Sequence, residues 1–149
     1  MIKQVALATI WVLDQDSAKE FFTEKLGLEL LDDMTLGEAG MRWLTVGTKN
    51  QPELRLTLMV PGTTAIDAES AEQLKALVAK GVLGGVAFDT HDCHATYREL
   101  SAKGVTFIQE PQERPYGIEA IFRDDSGNWY SLTEPRGELD LTKPWHSDS

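Results

Sequence analysis

Apolar residues recur along this chain with two periods, one of two residues and one near 3.6, and the change from the first to the second happens twice in the same order. VALATIWVLD runs to Asp14 and gives way to SAKEFFTEKLG, where Ala18, Phe21, Phe22 and Leu26 share one helical face. LELL, MRWLTV and ELRLTLMV then read as three strands. The second half opens with GGVAFDTHD, an apolar run that reaches Asp92, and continues as CHATYRELSAKG, a helix with apolar spacing at Cys93, Tyr97 and Leu100. VTFIQ follows, then the turn residues of EPQERPYG, then IEAIFR and WYSLTE on either side of DDSGN, a hairpin turn signal. Each half therefore reads as a βαβββ unit, and the repeat is the main organising feature of the chain.

In detail, a first strand is expected over 2–13, with the oxygen-bearing side chains from Asp14 to Ser17 starting the helix and Gly27 ending it. Strands are expected over 28–31, 42–47 and 54–60, joined by the polar loops DDMTLGEAG and TKNQP. Residues 67–80 carry apolar side chains at Ala71, Leu74, Leu77 and Val78, a one-faced helix stopped by Gly81 that serves as an outer connector. The reading is one domain over 1–135, made of a first module (1–61), a connector (62–83) and a second module (84–135). The tail 136–149, RGELDLTKPWHSDS, has no clear period and reads as an arm or a partly disordered segment.

Composition narrows the function classes. With 149 residues and 42% apolar content, the chain is long enough for a sizeable core. No run approaches the roughly 18 apolar residues of a membrane span, and Met1-Ile2-Lys3 leads into a strand, so a cytoplasmic location is expected. One cysteine, Cys93, rules out an internal disulfide framework. A net charge of −10, from 24 acidic and 14 basic residues, argues against a nucleic-acid or anionic-membrane partner.

The segments WVLDQDSAKEFFTEKLGLEL and YGIEAIFRDDSGNWYSLTEP carry a resemblance to the vicinal oxygen chelate superfamily, which includes glyoxalase I, extradiol dioxygenases, fosfomycin-modifying enzymes and bleomycin-resistance proteins. The resemblance spans about 1–135 and implies an α+β fold, two βαβββ modules curled into an open, barrel-like sheet with helices outside and a ligand cleft inside. It also implies a homodimer. Members that do metal chemistry place His, Gln or Glu on the inner face of the first and last strand of each module. Matching those positions here gives Leu7, Thr57, Gly85 and Ser131. Leu and Gly offer no side-chain ligand, and neutral hydroxyls are poor substitutes for imidazole or carboxylate, so no metal and no other cofactor is expected.

Strand alternation sorts side chains between the two faces of each sheet. Ala6, Ala8, Ile10, Val12, Leu44, Val46, Leu54, Leu56, Leu58 and Val60 fall on the helix side, as do Ile118, Ala120, Phe122, Tyr130 and Leu132. The opposite face receives Leu7, Thr9, Trp11, Trp43, Thr45, Arg55, Thr57 and Met59 from the first module. From the second it receives Glu119, Ile121, Arg123, Trp129, Ser131 and Thr133.

A rival metal cluster at His91, Asp92, Cys93 and His94 is better read as a helix start, with Asp92 as the cap and Cys93 in the core, because no fourth ligand is evident and His146 lies in the tail. The site reading is a ligand cleft lined by Trp11, Trp43, Arg55, Met59, Glu119, Arg123, Trp129 and Ser131. Indole rings suit a flat aromatic or amphipathic small molecule, with guanidinium and carboxylate groups fixing its polar edge. Three functions stay open. The first is metal-independent binding or sequestration of a compound such as an antibiotic, as in the bleomycin-resistance branch. The second is a lyase, isomerase or oxygenase using Glu119 as general acid or base with Arg55 or Arg123 stabilising negative charge. The third is a ligand-free module whose tryptophans fill the barrel.

Overall fold

The structure, a computed structural model, describes residues 1–62 and 66–146. Residues 63–65 of the expected connector and 147–149 of the expected tail lie outside the described residues. The elements in order are β1 (Leu7–Trp11), α1 (Gln15–Glu20) continued by a π-helical turn (Phe21–Lys25), β2 (Glu29–Leu36), β3 (Met41–Gly47), β4 (Arg55–Met59), α2 (Ala68–Lys80), β5 (Gly84–Asp89), α3 (Cys93–Ala102), β6 (Phe107–Arg114), β7 (Gly117–Arg123) and β8 (Trp129–Pro135). This is an α+β fold of two βαβββ modules. The chain divides into two compact units, Met1–Leu83 with Asp125–Asn128, and Gly84–Asp124 with Trp129–Ser149.

In the first unit four strands lie in the order β1-β4-β3-β2. β1 runs parallel to β4, and β2, β3 and β4 are antiparallel neighbours, with Thr9 opposite Thr57 and Thr57 opposite Thr45. Ile10, Val12, Leu44, Val46, Leu56 and Leu58 are buried, as are Ala18, Phe21 and Phe22 of the helix, in line with the helix-side assignment of the strand residues. Each large apolar side chain buried this way contributes about 1.5–3 kcal/mol. Asp14 caps α1 by accepting from the Ser17 amide at 2.9 Å, and Asp67 caps α2 from the Ser70 amide at 2.8 Å. Gly81 ends α2 in the left-handed conformation, φ 83°, that only glycine adopts freely. The turn between β7 and β8 is part of this unit: the Ser126 hydroxyl accepts from the Leu13 amide at 2.9 Å and the Asn128 side chain donates to the Trp11 carbonyl at 2.8 Å.

β2 is longer than the sequence pattern indicates. The stretch expected as a loop after residue 31 continues as strand to Leu36, after a register shift between Leu30 and Asp32. Its acidic residues have cross-strand and helix partners rather than turn roles. Asp33 takes Arg42 at 2.9 Å and Lys19 at 2.8 Å, which holds its carboxyl well below the usual carboxylate range, the Arg42 hydrogen bond being the larger cause.

In the second unit the order is β5-β8-β7-β6, with β5 parallel to β8. Ala120, Phe122, Tyr130 and Leu132 are buried, and the rings of Phe88, Phe122 and Tyr130 stack, with the Phe122 and Tyr130 centroids 5.2 Å apart. The Tyr130 hydroxyl donates to Asp124 at 2.7 Å, so the largest core side chain of this unit keeps its polar end satisfied. β6 also runs past its expected end, through Pro111 to Arg114. It is an edge strand, where proline removes no hydrogen bond from an inner ladder, and the turn reduces to Pro115 and Tyr116. The tail through His146 has defined contacts: Arg136 donates to Glu113 at 2.7 Å, the Asp140 amide donates to the Pro115 carbonyl at 2.8 Å, and Trp145 lies 6.0 Å from the Tyr116 ring.

Candidate functional site

The sheet face opposite the helix in the first unit gathers Trp11, Trp43, Arg55 and Met59. Parallel pairing sets Leu7 beside Arg55, Thr9 beside Thr57 and Trp11 beside Met59. Antiparallel pairing sets Thr45 beside Thr57, and Trp43 and Met59 lie two residues beyond that pair on their strands, on the same face. The floor is closed and the rim is open. Thr45 and Thr57 are fully buried and Met59 nearly so, whereas Trp11 and Trp43 are half-buried and Arg55 is exposed. Asp32 joins this face from the extended part of β2: one carboxylate oxygen accepts from the Thr45 hydroxyl at 2.7 Å and lies 3.3 Å from Arg55 Nε. The Thr57 hydroxyl is buried and has no hydrogen-bond partner among the described residues. Alternation puts Thr45 on this face, but nothing in the sequence pattern marks Asp32, whose contact with it joins positions on different strands.

The corresponding face of the second unit carries Glu119, Arg123, Trp129 and Ser131, and its character differs. The Glu119 carboxylate accepts from the Tyr116 hydroxyl at 2.6 Å on one oxygen and from the Ser131 hydroxyl at 2.7 Å on the other. Ser131 and Thr133 share a hydrogen bond at 2.9 Å. The Gln109 side chain donates to the Glu119 carbonyl at 3.0 Å and accepts from buried Arg114 at 3.2 Å. Burial first, and then the hydrogen bond to Glu119, push the Tyr116 phenol up to about 12. Arg123 and Trp129 are register neighbours at the other end of this face, with Trp129 partly exposed and its ring over Gly84. Tyr116, Arg114 and Gln109 were missed from sequence. Only the three-residue interval between Tyr116 and Glu119, across a turn, hinted at their pairing.

The four positions matched to metal ligands do not form a donor set. Leu7 is an exposed leucine, Thr57 and Ser131 offer neutral hydroxyls, and Ser131 is already committed to Glu119 and Thr133. At Gly85 a Cβ would meet the Tyr130 ring at 2.3 Å, on the helix side of the sheet, so local packing excludes any ligating side chain there. A divalent metal of the kind the fold carries elsewhere does not fit these residues. Among the described residues no three His, Cys, Asp or Glu side chains converge on a metal-sized space. At the start of α3, Asp92 accepts from the Ala95 amide at 2.9 Å as a helix cap. Cys93 is buried with Sγ 3.5 Å from the Leu132 carbonyl, and burial pushes its thiol up to about 11; His91 and His94 are exposed. Such a thiol is inert rather than ligating.

Comparison with known proteins fits the two-module architecture. The Glyoxalase/Bleomycin resistance protein/Dioxygenase superfamily model matches residues 2–132. The chain belongs to this superfamily. Among solved structures it is similar to UcmS2, with 51% identity, a TM-score of 0.83, and coverage of 90% of this chain and 99% of that one. It is also similar to TnmS3, an antibiotic binding protein from Streptomyces sp. CB03234, with 32% identity, a TM-score of 0.71, and coverage of 91% and 98%. The uncharacterized protein YetH of Bacillus subtilis (strain 168) is 32% identical over 134 residues, 90% of this chain and 100% of that protein. Superfamily members bind small molecules such as antibiotics, and no helix among the described residues is long and apolar enough to cross a membrane.

Proposed function

We propose that this protein binds a small, flat aromatic or amphipathic molecule and holds it without metal, as a sequestering protein of the antibiotic-binding kind. The observation that carries the reading is the first unit's face: two half-buried tryptophans beside Met59 over a buried threonine floor, with Arg55 held at the rim by Asp32. Indole faces and a thioether supply contact area at low cost in conformational entropy, and a guanidinium at the rim orients an anionic or carbonyl edge. The similarity to TnmS3 favours the same class of ligand. The second unit has an aromatic and cationic pair of its own, Trp129 and Arg123, which are register neighbours.

The enzymatic alternative rests on Glu119. Both of its oxygens already accept hydroxyl hydrogen bonds, which favours the carboxylate as a fixed structural acceptor over a base waiting for a substrate proton. Glu119→Gln separates the two: product formation lost with binding intact supports an enzyme, and binding with no turnover in either form supports sequestration.

The first test is metal content by mass spectrometry on untagged protein after exposure to zinc, nickel, manganese and ferrous iron, with tryptophan fluorescence read on the same samples. Substoichiometric metal together with quenching by an aromatic ligand is the expected result. One tightly held ion per chain sinks the metal-free reading. A homodimer in the cytoplasm completes the proposal, and light scattering on the purified protein tests its mass.

A further inference from the structure

On the first unit's face, Thr57 carries a buried side-chain hydroxyl that has no hydrogen-bond partner among the described residues. It sits in the central pair of strands, 1% exposed, with Thr9 in register on one side and Thr45 on the other. Leu56 and Leu58 beside it on β4 are buried on the helix side, so alternation turns Thr57 to the face of Trp11, Trp43 and Met59. Thr45 is its natural partner by position, yet the Thr45 hydroxyl is spent on Asp32 at 2.7 Å. The Thr57 hydroxyl is left buried without a partner among the described residues. A hydroxyl buried in this way lowers stability, and valine would fill the same volume with no such penalty. A polar group kept at a cost to folding, in the floor of an aromatic-rimmed face, is what a ligand anchor looks like before its ligand arrives.

From this, and resting on the small-molecule reading above, we infer that Thr57 is a specificity-determining hydrogen-bond anchor for a ring oxygen, so that the ligand is a planar aromatic carrying a hydroxyl or carbonyl on the edge that meets the floor. The anionic or carbonyl end of the same molecule reaches Arg55, whose guanidinium has five N–H donors and gives its Nε side to Asp32. Asp32 acts through others here. It draws the Thr45 hydroxyl away from Thr57 and holds Arg55, and is a positioning residue. A site whose buried hydroxyl must be satisfied by its ligand discriminates strongly against an analogue lacking the matching oxygen.

The experiment compares 6-hydroxy-2-naphthoate with 2-naphthoate, identical but for one ring hydroxyl, by tryptophan quenching and calorimetry on wild type, Thr57→Val and Thr45→Val. Ligand-free Thr57→Val is expected to melt at the wild-type temperature or a few degrees above it, since it removes an unpaired buried group, while Thr45→Val melts lower because it strips a hydrogen bond from Asp32. Wild type is expected to prefer the hydroxylated probe, and Thr57→Val to weaken that probe about tenfold while leaving 2-naphthoate unchanged. A clear fall in the ligand-free melting temperature of Thr57→Val overturns the inference without reference to any ligand, because the hydroxyl is then already satisfied. Equal binding of both probes by wild type and Thr57→Val also overturns it while leaving the small-molecule reading standing. Failure of both probes to bind the wild-type protein counts against that reading itself, and against the inference with it.

Discussion

The two sheets are built on one plan, yet the faces opposite their helices solve the problem of buried polar groups in opposite ways. On the second unit, Glu119 gathers the hydroxyls of Tyr116 and Ser131, Thr133 bonds to Ser131, and Gln109 ties Arg114 to the Glu119 backbone. Both Glu119 carboxylate oxygens are taken up within it, and in that sense the network is closed. On the first unit the network is short, Thr45 to Asp32 to Arg55, and it stops beside Thr57, which has no partner among the described residues and shares its face with Trp11 and Trp43. Repetition of a module therefore preserves the apolar side of each sheet and frees the other side to diverge. A satisfied polar face rigidifies; an unsatisfied one with aromatic walls is equipped to bind.

The sharpest way to break the contrast is to remove the centre of the closed network. Glu119→Leu leaves the Tyr116 and Ser131 hydroxyls without their shared acceptor, and should cost roughly 2–3 kcal/mol in urea unfolding, the scale for hydrogen bonds to a charged group. A change below about 0.5 kcal/mol, within the range of ordinary surface substitutions, would falsify the claim that this face is structural. Gly85→Ala comes next. The added methyl meets the Tyr130 ring, and overpacking at so tight a contact costs about 1–3 kcal/mol. An unchanged denaturation midpoint would mean that β5 shifts freely and that Gly85 carries no packing constraint.

Both sheets were legible in the sequence where local chemistry sets the outcome. Asp14, Asp67 and Asp92 each cap a helix, and strand alternation sorted Leu44, Leu56, Leu58, Ala120 and Tyr130 to the buried side. What failed were features decided by distant partners. Asp32 and Asp33 fell within the expected polar loop DDMTLGEAG, but Thr45, Arg55, Arg42 and Lys19 recruit them into a strand. Pro111 fell within the expected turn residues EPQERPYG, and is tolerated in the strand because β6 lies on an edge. The tail had no period to read, since its order comes from Glu113, Pro115 and Tyr116, residues of another segment. Alternation alone placed Trp11, Trp43, Arg55 and Met59 on one face of the first sheet, but it gave no sign of Asp32 or Tyr116. The hydrogen bonds that divide the site into a closed and an open set were not legible.

On the open face, truncation should read out in binding. Arg55→Ala removes an exposed side chain, so stability should change by less than about 1 kcal/mol, while Trp43→Ala gives up the buried part of its ring at about 1–3 kcal/mol and is compared on the folded protein. Affinity for an anionic aromatic probe such as 2-naphthoate should fall about tenfold in each, the scale of one stacking or charge-assisted contact. Calorimetry on the folded variants measures it. If Trp129→Ala on the second unit produces a larger loss than Trp43→Ala, the assignment of the principal binding face is reversed.

The smallest effect concerns the salt-bridged edge of the first unit. The Asp33 carboxyl is held well below its ordinary value of 3.8, first by Arg42 and then by Lys19. A depressed folded-state pKa means the unfolded chain takes up the proton first as pH falls. The contribution is therefore complete above the ordinary carboxylate value and disappears as pH drops below it towards the folded-state value. Asp33 lies on the solvated edge strand, so salt should screen much of the effect. The check is the difference in unfolding free energy between wild type and Asp33→Asn, followed from pH 6 down to pH 2 at low and at high salt. The gap should close with acid and narrow with salt. A gap that stays constant across both would assign Asp33 a packing role in β2 and detach it from the electrostatics of Arg42 and Lys19.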